Sequence, residues 1–291
     1  MLIDSDVRCV ADVHAVLGEG PVWVAREQAL YWVDIKGYRI FRLEESGERT
    51  EWPTPLRVCS LVPRALEGFI GGTDRGIALI EPTAGRFEVI ANPEEHLQHN
   101  RFNDGKIDRK GAFWAGTMDD LEQDASGTLY RVNPDLSCTA IDTDYRITNG
   151  PAFSPDGRTM YHNDTARQVT YAFDLDEGGC ALDRRIFLQF GPGDGNPDGM
   201  TVDAEGCLWI AFWGGSCVRR FSPAGERLET VRLPVSQPSS CAFGGPDLDE
   251  LYVTSASAGL DESALKMQPN AGGLFMFTPG VRGLEEVPFA G

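Results

Sequence analysis

Residues 108–114 read Asp108-Arg109-Lys110-Gly111-Ala112-Phe113-Trp114, and residues 203–209 read Asp203-Ala204-Glu205-Gly206-Cys207-Leu208-Trp209. Both are a polar turn with Gly in its fourth place, leading into a pair of large apolar residues. Ser154-Pro155-Asp156-Gly157 leads into Met160-Tyr161 in the same manner, and looser versions end in Leu30-Tyr31, Phe69-Ile70 and Leu251-Tyr252. The second members of these six pairs lie 39–48 residues apart. The segments between them are short, punctuated by Gly and Pro, and rich in Val, Ile, Phe, Tyr and Trp, which is the signature of strands. Long apolar stripes of helical period are missing. A unit of about 40–50 residues with about four short strands is a β-propeller blade. A β-sandwich has no reason to repeat six times. The spacing therefore predicts an all-β chain, a six-bladed β-propeller with a central channel, occupying residues 1–291 as a single domain.

Composition narrows the partners. The chain has 26 Lys+Arg against 44 Asp+Glu, a formal net charge of −18, which argues against nucleic acid or an anionic membrane as partner because phosphate binding needs clustered cations. With 42% hydrophobic residues the chain can bury a core, so the acidity is expected to be mostly a solvated surface. The start, Met1 to Asp6, lacks a basic segment followed by an apolar one, and no stretch approaches the ~20 apolar residues of a spanning helix. A cytoplasmic location and a monomeric state are the expectations. The seven cysteines are scattered singly with no C-x-x-C pair, which suits reduced thiols.

In a propeller, residues at one phase of every repeat converge on one axis. About a dozen residues before each marker, where the chain is expected to cross one end of the channel ahead of the inner strand, stand Glu19 in the first repeat, Arg101 and Asn103 in the third, Asn149 in the fourth and Asp198 in the fifth. The second and sixth repeats offer only Ser60 and Ser239-Ser240. Two carboxylates and a carboxamide facing one another call for a cation or a proton between them. A hard divalent ion on Glu19, Asn149 and Asp198 answers that need; oxygen-only ligation suits Ca²⁺, Mg²⁺ or Mn²⁺, and Fe²⁺ and Zn²⁺ also use it. Acidic and Asn residues beside Gly are equally ordinary turn formers, and position alone leaves both readings open.

Other motifs weigh less. Asp194, Asn196, Asp198, Gly199 and Glu205 match the calcium loop of an EF-hand, but the flanking segments read as strands instead of helices. His96 and His99 form an H-x-x-H that reads as surface histidines in a long connection, and His162 reads as a satisfied packing residue. Gly191 to Gly195 is glycine-rich without the following helix a phosphate cradle needs.

The runs Leu17-Gly18-Glu19-Gly20-Pro21, Arg101-Phe102-Asn103-Asp104-Gly105-Lys106, Ala115-Gly116-Thr117-Met118, Ile147-Thr148-Asn149-Gly150 and Pro197-Asp198-Gly199 occur in order and in register, and in them the sequence resembles the senescence marker protein / gluconolactonase / regucalcin family. The resemblance implies a six-bladed propeller with one divalent metal ion on Glu19, Asn149 and Asp198, and with Arg101 and Asn103 on substrate oxygens. It departs at one point: Asp119-Asp120 directly follow Met118, and Leu121 stands where a second acid belongs, so Asp120 is the candidate for a sugar-hydroxyl acceptor. The activity implied is hydrolysis of a sugar aldonolactone, a pentono- or hexonolactone, with the metal polarising the carbonyl and Asp198 as general base. The alternatives are a non-catalytic calcium-binding regulator and a propeller hydrolase of organophosphates or other esters.

Overall fold

The computed structural model describes residues 2–3 and 6–291, with side chains from Asp6 onward. The reading of the opening segment as free of an export signal rests in part on Met1, Asp4 and Ser5, which lie outside the described residues. Among the described residues six sheets of consecutive antiparallel strands follow one another along the chain, each a blade, and Leu2–Ile3 joins the outer edge of the fifth, parallel to Arg227–Arg232. Blade 1 is Gly18–Val24, Ala29–Asp34, Arg39–Glu44 and Arg49–Pro53, paired in that order. The first strands of the other blades are Val62–Pro63, Asn100–Ile107, Thr148–Phe153, Asn196–Val202 and Pro238–Gly244. These first strands lie against one another around the axis. Burial grades outward: every residue of Gly18–Val24 is buried, whereas the last strand of that blade alternates between exposed and half-buried positions.

Blade 6 takes only three strands from its own stretch of chain. Its fourth is Arg8–Ala11, which precedes blade 1 and pairs with Leu274–Phe277, Arg8 opposite Met276 and Cys9 opposite Phe275. The apolar core accordingly falls into six clusters, one at each junction of neighbouring blades. The closing junction packs Trp23, Trp32 and Phe41 of blade 1 against Tyr252, Leu274 and Met276 of blade 6. The aromatic residues of the repeat are thus inter-blade packing.

The marker pairs identify the second strand of each blade, not the first. Sandwiched between two strands, that position is apolar on both faces, so it shows as an aromatic run. The first strand carries Gly and polar residues toward the axis and leaves no such trace. Of the polar residues placed a dozen positions upstream, Glu19, Arg101, Asn103, Asn149, Asp198 and Ser239-Ser240 therefore lie within the innermost strands, and Ser60 alone precedes its strand.

The turn Asp is a structural lock. Asp203, wholly buried, accepts hydrogen bonds from Glu205 N at 3.0 Å, Cys207 N at 2.9 Å, Trp209 Nε1 at 2.9 Å and Arg220 Nε at 2.8 Å. Asp108 repeats the pattern with Lys110 N, Ala112 N and Trp114 Nε1, and in blade 4 the Ser154 hydroxyl takes the same part by accepting from Thr159 N. A second set of acids closes the other end of the second strands. Asp34 accepts from the backbone N–H groups of Val16, Leu17 and Gly37, and Asp164 from that of Arg146, tying down the chain as it enters a first strand. The expectation of a solvated acidic surface misses these buried carboxylates, because a short side chain that satisfies several orphan N–H groups is worth its desolvation.

Residues 281–291 cross the far end of the propeller. Gly283 N donates to Leu248 O, Ala204 N to Arg282 O, Phe289 N to Pro63 O and Ala290 N to Gly111 O, so the segment ties blades 6, 5, 2 and 3 together. Phe289 is fully buried in the junction of blades 2 and 3. No helix among the described residues is long and apolar enough to cross a membrane, and all seven cysteines are free thiols.

Replacing Asp203 with Ala orphans three N–H donors and removes one of three carboxylates from Arg220, which keeps Glu205 and Glu229, and the expected loss is about 3–5 kcal/mol in a denaturant titration. Asp156→Ala, at an exposed turn, is expected to cost no more than about 1 kcal/mol.

Candidate functional site

The side chains of Glu19, Arg101, Asn103, Asn149 and Asp198 meet in one cavity of about 230 Å³ at the mouth of the channel, with Leu17, Met118, Ile147 and Trp213 as its apolar wall. The local reason is a β-bulge in each of the four first strands that bear these residues. The register slips between Glu19 and Val22, Phe102 and Gly105, Asn149 and Ala152, and Pro197 and Met200. A bulge re-aims the side chain beside it, here toward the axis. Glu19 and Asn149 are each followed by Gly in the left-handed region, with φ of 51° at Gly20 and 85° at Gly150, which an L side chain rarely adopts. At Gly199 the constraint is space: a Cβ there would lie 2.1 Å from Ser240 Oγ, so the strand bearing Asp198 closes on blade 6 only without a side chain.

The rim of the cavity is one hydrogen-bonded chain. Asp74 accepts from Arg57 Nε at 3.3 Å, and Arg57 Nη1 reaches Asp120 Oδ2 at 2.7 Å. Asp120 Oδ1 in turn holds Arg101 Nε at 2.5 Å, and Arg101 Nη1 donates to Asn103 Oδ1 at 2.7 Å. Asn103 Nδ2 donates to Asn149 Oδ1 at 3.1 Å and to Thr148 O at 2.7 Å. Asn149 Nδ2 donates to Thr165 Oγ1 at 2.8 Å, whose own proton goes to Pro197 O at 2.7 Å. The Thr165 hydroxyl thereby fixes the amide with its oxygen turned to the cavity. Asn163 Nδ2 binds the backbone oxygen of Asp198 at 2.6 Å and is itself held by Thr170 Oγ1.

Asp120 stands behind Arg101, with both oxygens engaged by guanidinium groups that hold its carboxyl below the usual range despite partial burial. Asp119 is occupied by the N–H groups of Leu121, Gln123 and Asp124. The EF-hand reading falls: strands Ala181–Gln189 and Leu208–Trp213 flank that segment, Asp194 pairs with Arg219 and Glu205 with Arg220. His96 and His99 are exposed in a turn. His162 is a packing residue edge-on to Tyr145, but it is not satisfied: neither ring nitrogen has a hydrogen-bond partner among the described residues, and burial drives its pKa down to about 3.

One acid was passed over in the sequence. Asp104, buried just beneath the cavity, accepts from Gly105 N and Gly150 N at 2.8 Å each. Glu19, Asp104 and Asp198 form a buried acidic floor. Burial first, and Asp104 next, push Glu19 up to about 8; burial raises Asp104, and burial with Glu19 and Asp104 raises Asp198 well above the carboxylate range. Such a floor holds protons or a cation. Glu19 and Asp198 keep carboxylate oxygen open to the cavity, with only the N–H of Gly20 and of Gly199 respectively on them, and Asn149 adds an oriented amide oxygen. Two carboxylates and an amide are hard oxygen donors, so these residues fit a hard divalent ion.

Residues 17–257 match the SMP-30/Gluconolactonase/LRE-like region, and the chain belongs to that family. Among its relatives, a 6-deoxy-6-sulfogluconolactonase of Pseudomonas putida is 37% identical over 99% of this chain and 100% of its own length. An L-arabinolactonase of Azospirillum brasilense is 37% identical over 97% of this chain and 95% of its own. Regucalcin of Agrobacterium tumefaciens, a calcium-binding protein of known structure, superposes with a TM-score of 0.94 at 30% identity, covering 99% of each chain.

The floor makes stability depend on pH. The folded, cation-free protein binds more protons than the unfolded chain between the ordinary Glu value of 4.5 and about 8, so this stabilisation is present at low pH and is lost as pH rises through that window. In chelator, Tm is expected to fall from pH 5 to pH 8.5, and a divalent ion is expected to raise it more at pH 8 than at pH 5. A chelated protein whose Tm climbs across that range contradicts the assignment.

Proposed function

We propose that the protein hydrolyses a sugar aldonolactone with the aid of one divalent cation held by Glu19, Asn149 and Asp198. The observation that carries this reading is the meeting of those three oxygen donors with Arg101 and Asn103 in one small cavity, in a chain whose full-length relatives include lactonases. At about 230 Å³ the cavity lies below the ~300–1,000 Å³ of drug-sized sites, which favours a monosaccharide lactone, pentose- or hexose-derived. When bound, the cation supplies Lewis acidity toward the lactone carbonyl.

The chain's own residues supply orientation and proton transfer. Water adds to the acyl carbon, the ring C–O bond breaks, and the ring oxygen leaves as a hydroxyl, so one proton is moved from water to the leaving oxygen. Asp198, open to the cavity, is the base for that proton. Arg101 uses Nε and Nη1 on protein partners and keeps Nη2 for a substrate oxygen, an electrostatic contact prepared in advance. Asn103 donates with both amide hydrogens inside the protein, so toward substrate it acts only as an acceptor, taking a hydroxyl proton on Oδ1. Asp120 serves as a positioning residue for Arg101 instead of as a direct sugar contact.

A panel of pentono- and hexonolactones, followed by acid release, is expected to show turnover that chelator abolishes and a divalent ion restores. Asp198→Asn is expected to lower kcat by about 10²-fold or more. Cation binding without turnover of any lactone would favour a calcium-binding regulator, and turnover of a phosphotriester alone would favour the other propeller hydrolases. Thr165→Val frees the Asn149 amide to turn and is expected to weaken cation binding about 10–100-fold, while its loss of about 1–3 kcal/mol in stability leaves the chelated protein folded.

A further inference from the structure

Lys106 lies two residues beyond Asp104 on the first strand of blade 3, and it is 6% exposed. Its Nζ is buried with no hydrogen-bond partner among the described residues. The residue borders two small cavities of about 10 Å³ each, one lined by Gly20–Val22 and Leu61–Pro63, the other by Ala152, Phe153, Thr201 and Val202. Those are first-strand residues of blades 1, 2, 4 and 5 or their immediate continuation, and only a side chain near the axis reaches all four. Lys106 therefore stands in the channel under the acidic floor.

An isolated ammonium is costly to bury unless an opposite charge is near. The rim offers it none to spare: Asp74, Arg57, Asp120 and Arg101 alternate in sign along one chain and cancel among themselves. What remains inside the channel is the floor of Glu19, Asp104 and Asp198. We propose that Lys106 is a resident cation of the channel whose fixed charge offsets Asp104, leaving the floor two negative charges short of neutral and so matched to a divalent ion. The field of Lys106 acts in the expected direction on Asp104 and Glu19, lowering the proton affinity of both against the effect of burial. The half-buried Glu286, from the segment that crosses the far end, also borders both cavities and is the competing partner for this charge.

This inference rests on the cation site proposed above, and binding measured without substrate separates the two. Purified protein stripped with chelator is titrated with Ca²⁺ and with La³⁺ by calorimetry, in wild type, Lys106→Met, Asp104→Asn and the double variant. Lys106→Met is expected to shift the La³⁺-over-Ca²⁺ affinity ratio at least about tenfold toward La³⁺, Asp104→Asn at least about tenfold the other way, and the double variant is expected to return near the wild-type ratio. The Asp104→Asn arm stands even where Lys106→Met does not fold. An unchanged ratio in the single variants, a double variant no closer to wild type than either, or rescue of Lys106→Met by Glu286→Gln instead of Asp104→Asn overturns the role of Lys106 while leaving the cation site intact. A wild type that binds neither ion overturns both.

Discussion

Everything in this molecule depends on the ring closing. A blade is a four-stranded sheet with two apolar faces, and neither face is stable in water, so each blade needs a neighbour on both sides. Five junctions form between consecutive blades. The sixth joins blade 6 to blade 1, and blade 6 is complete only when Arg8–Ala11 pairs with Leu274–Phe277. Closure also makes the cavity: Glu19, Arg101, Asn149 and Asp198 are far apart in the chain and share a site because their first strands are pressed onto one axis.

Two uses of acid coexist on this framework. Asp34, Asp108, Asp164 and Asp203 are surrounded by N–H donors, so their charge is solvated by the protein itself. Glu19, Asp104 and Asp198 have few donors each and face one another. The first group holds turns together and asks for no ligand; the second is unbalanced by construction, and the imbalance marks it as a place where something positive belongs.

Much of this was legible from residue types and spacing, and the misses follow from what spacing can carry. The apolar pairs from Tyr31 to Tyr252 repeat because the second strand of a blade is buried on both faces, so the blade count is written in them. The first strands carry no paired aromatics, and that of blade 2 shrinks to Val62–Pro63, so the sequence pattern does not separate them from the crossings ahead of the second strands. Glu19, Asn149 and Asp198 stood out through the glycines beside them, which prove to mark bulges. Asp104 and Lys106 stand in the run from Arg101 to Lys106, but their sequence positions give no sign that Asp104 lies below the cavity and Lys106 in the channel. Thr165 and Asn163 had no chance of detection, since a hydroxyl that orients an amide carries no pattern of its own. The reading of Asp120 needed Arg57, which lies 63 residues away.

The segment 281–291 has a consequence for traffic. By stitching blades 2, 3, 5 and 6, with Glu286 and Val287 lining the same small cavity as Lys106, it lies across the end of the axis opposite the site. On the proposed reaction the entrant is a neutral ring and the product carries a carboxylate, formed above an acidic floor inside a chain of net charge −18. The acidic surface of the chain then disfavours the newly charged product, so the making of a negative charge is also what helps to empty the site.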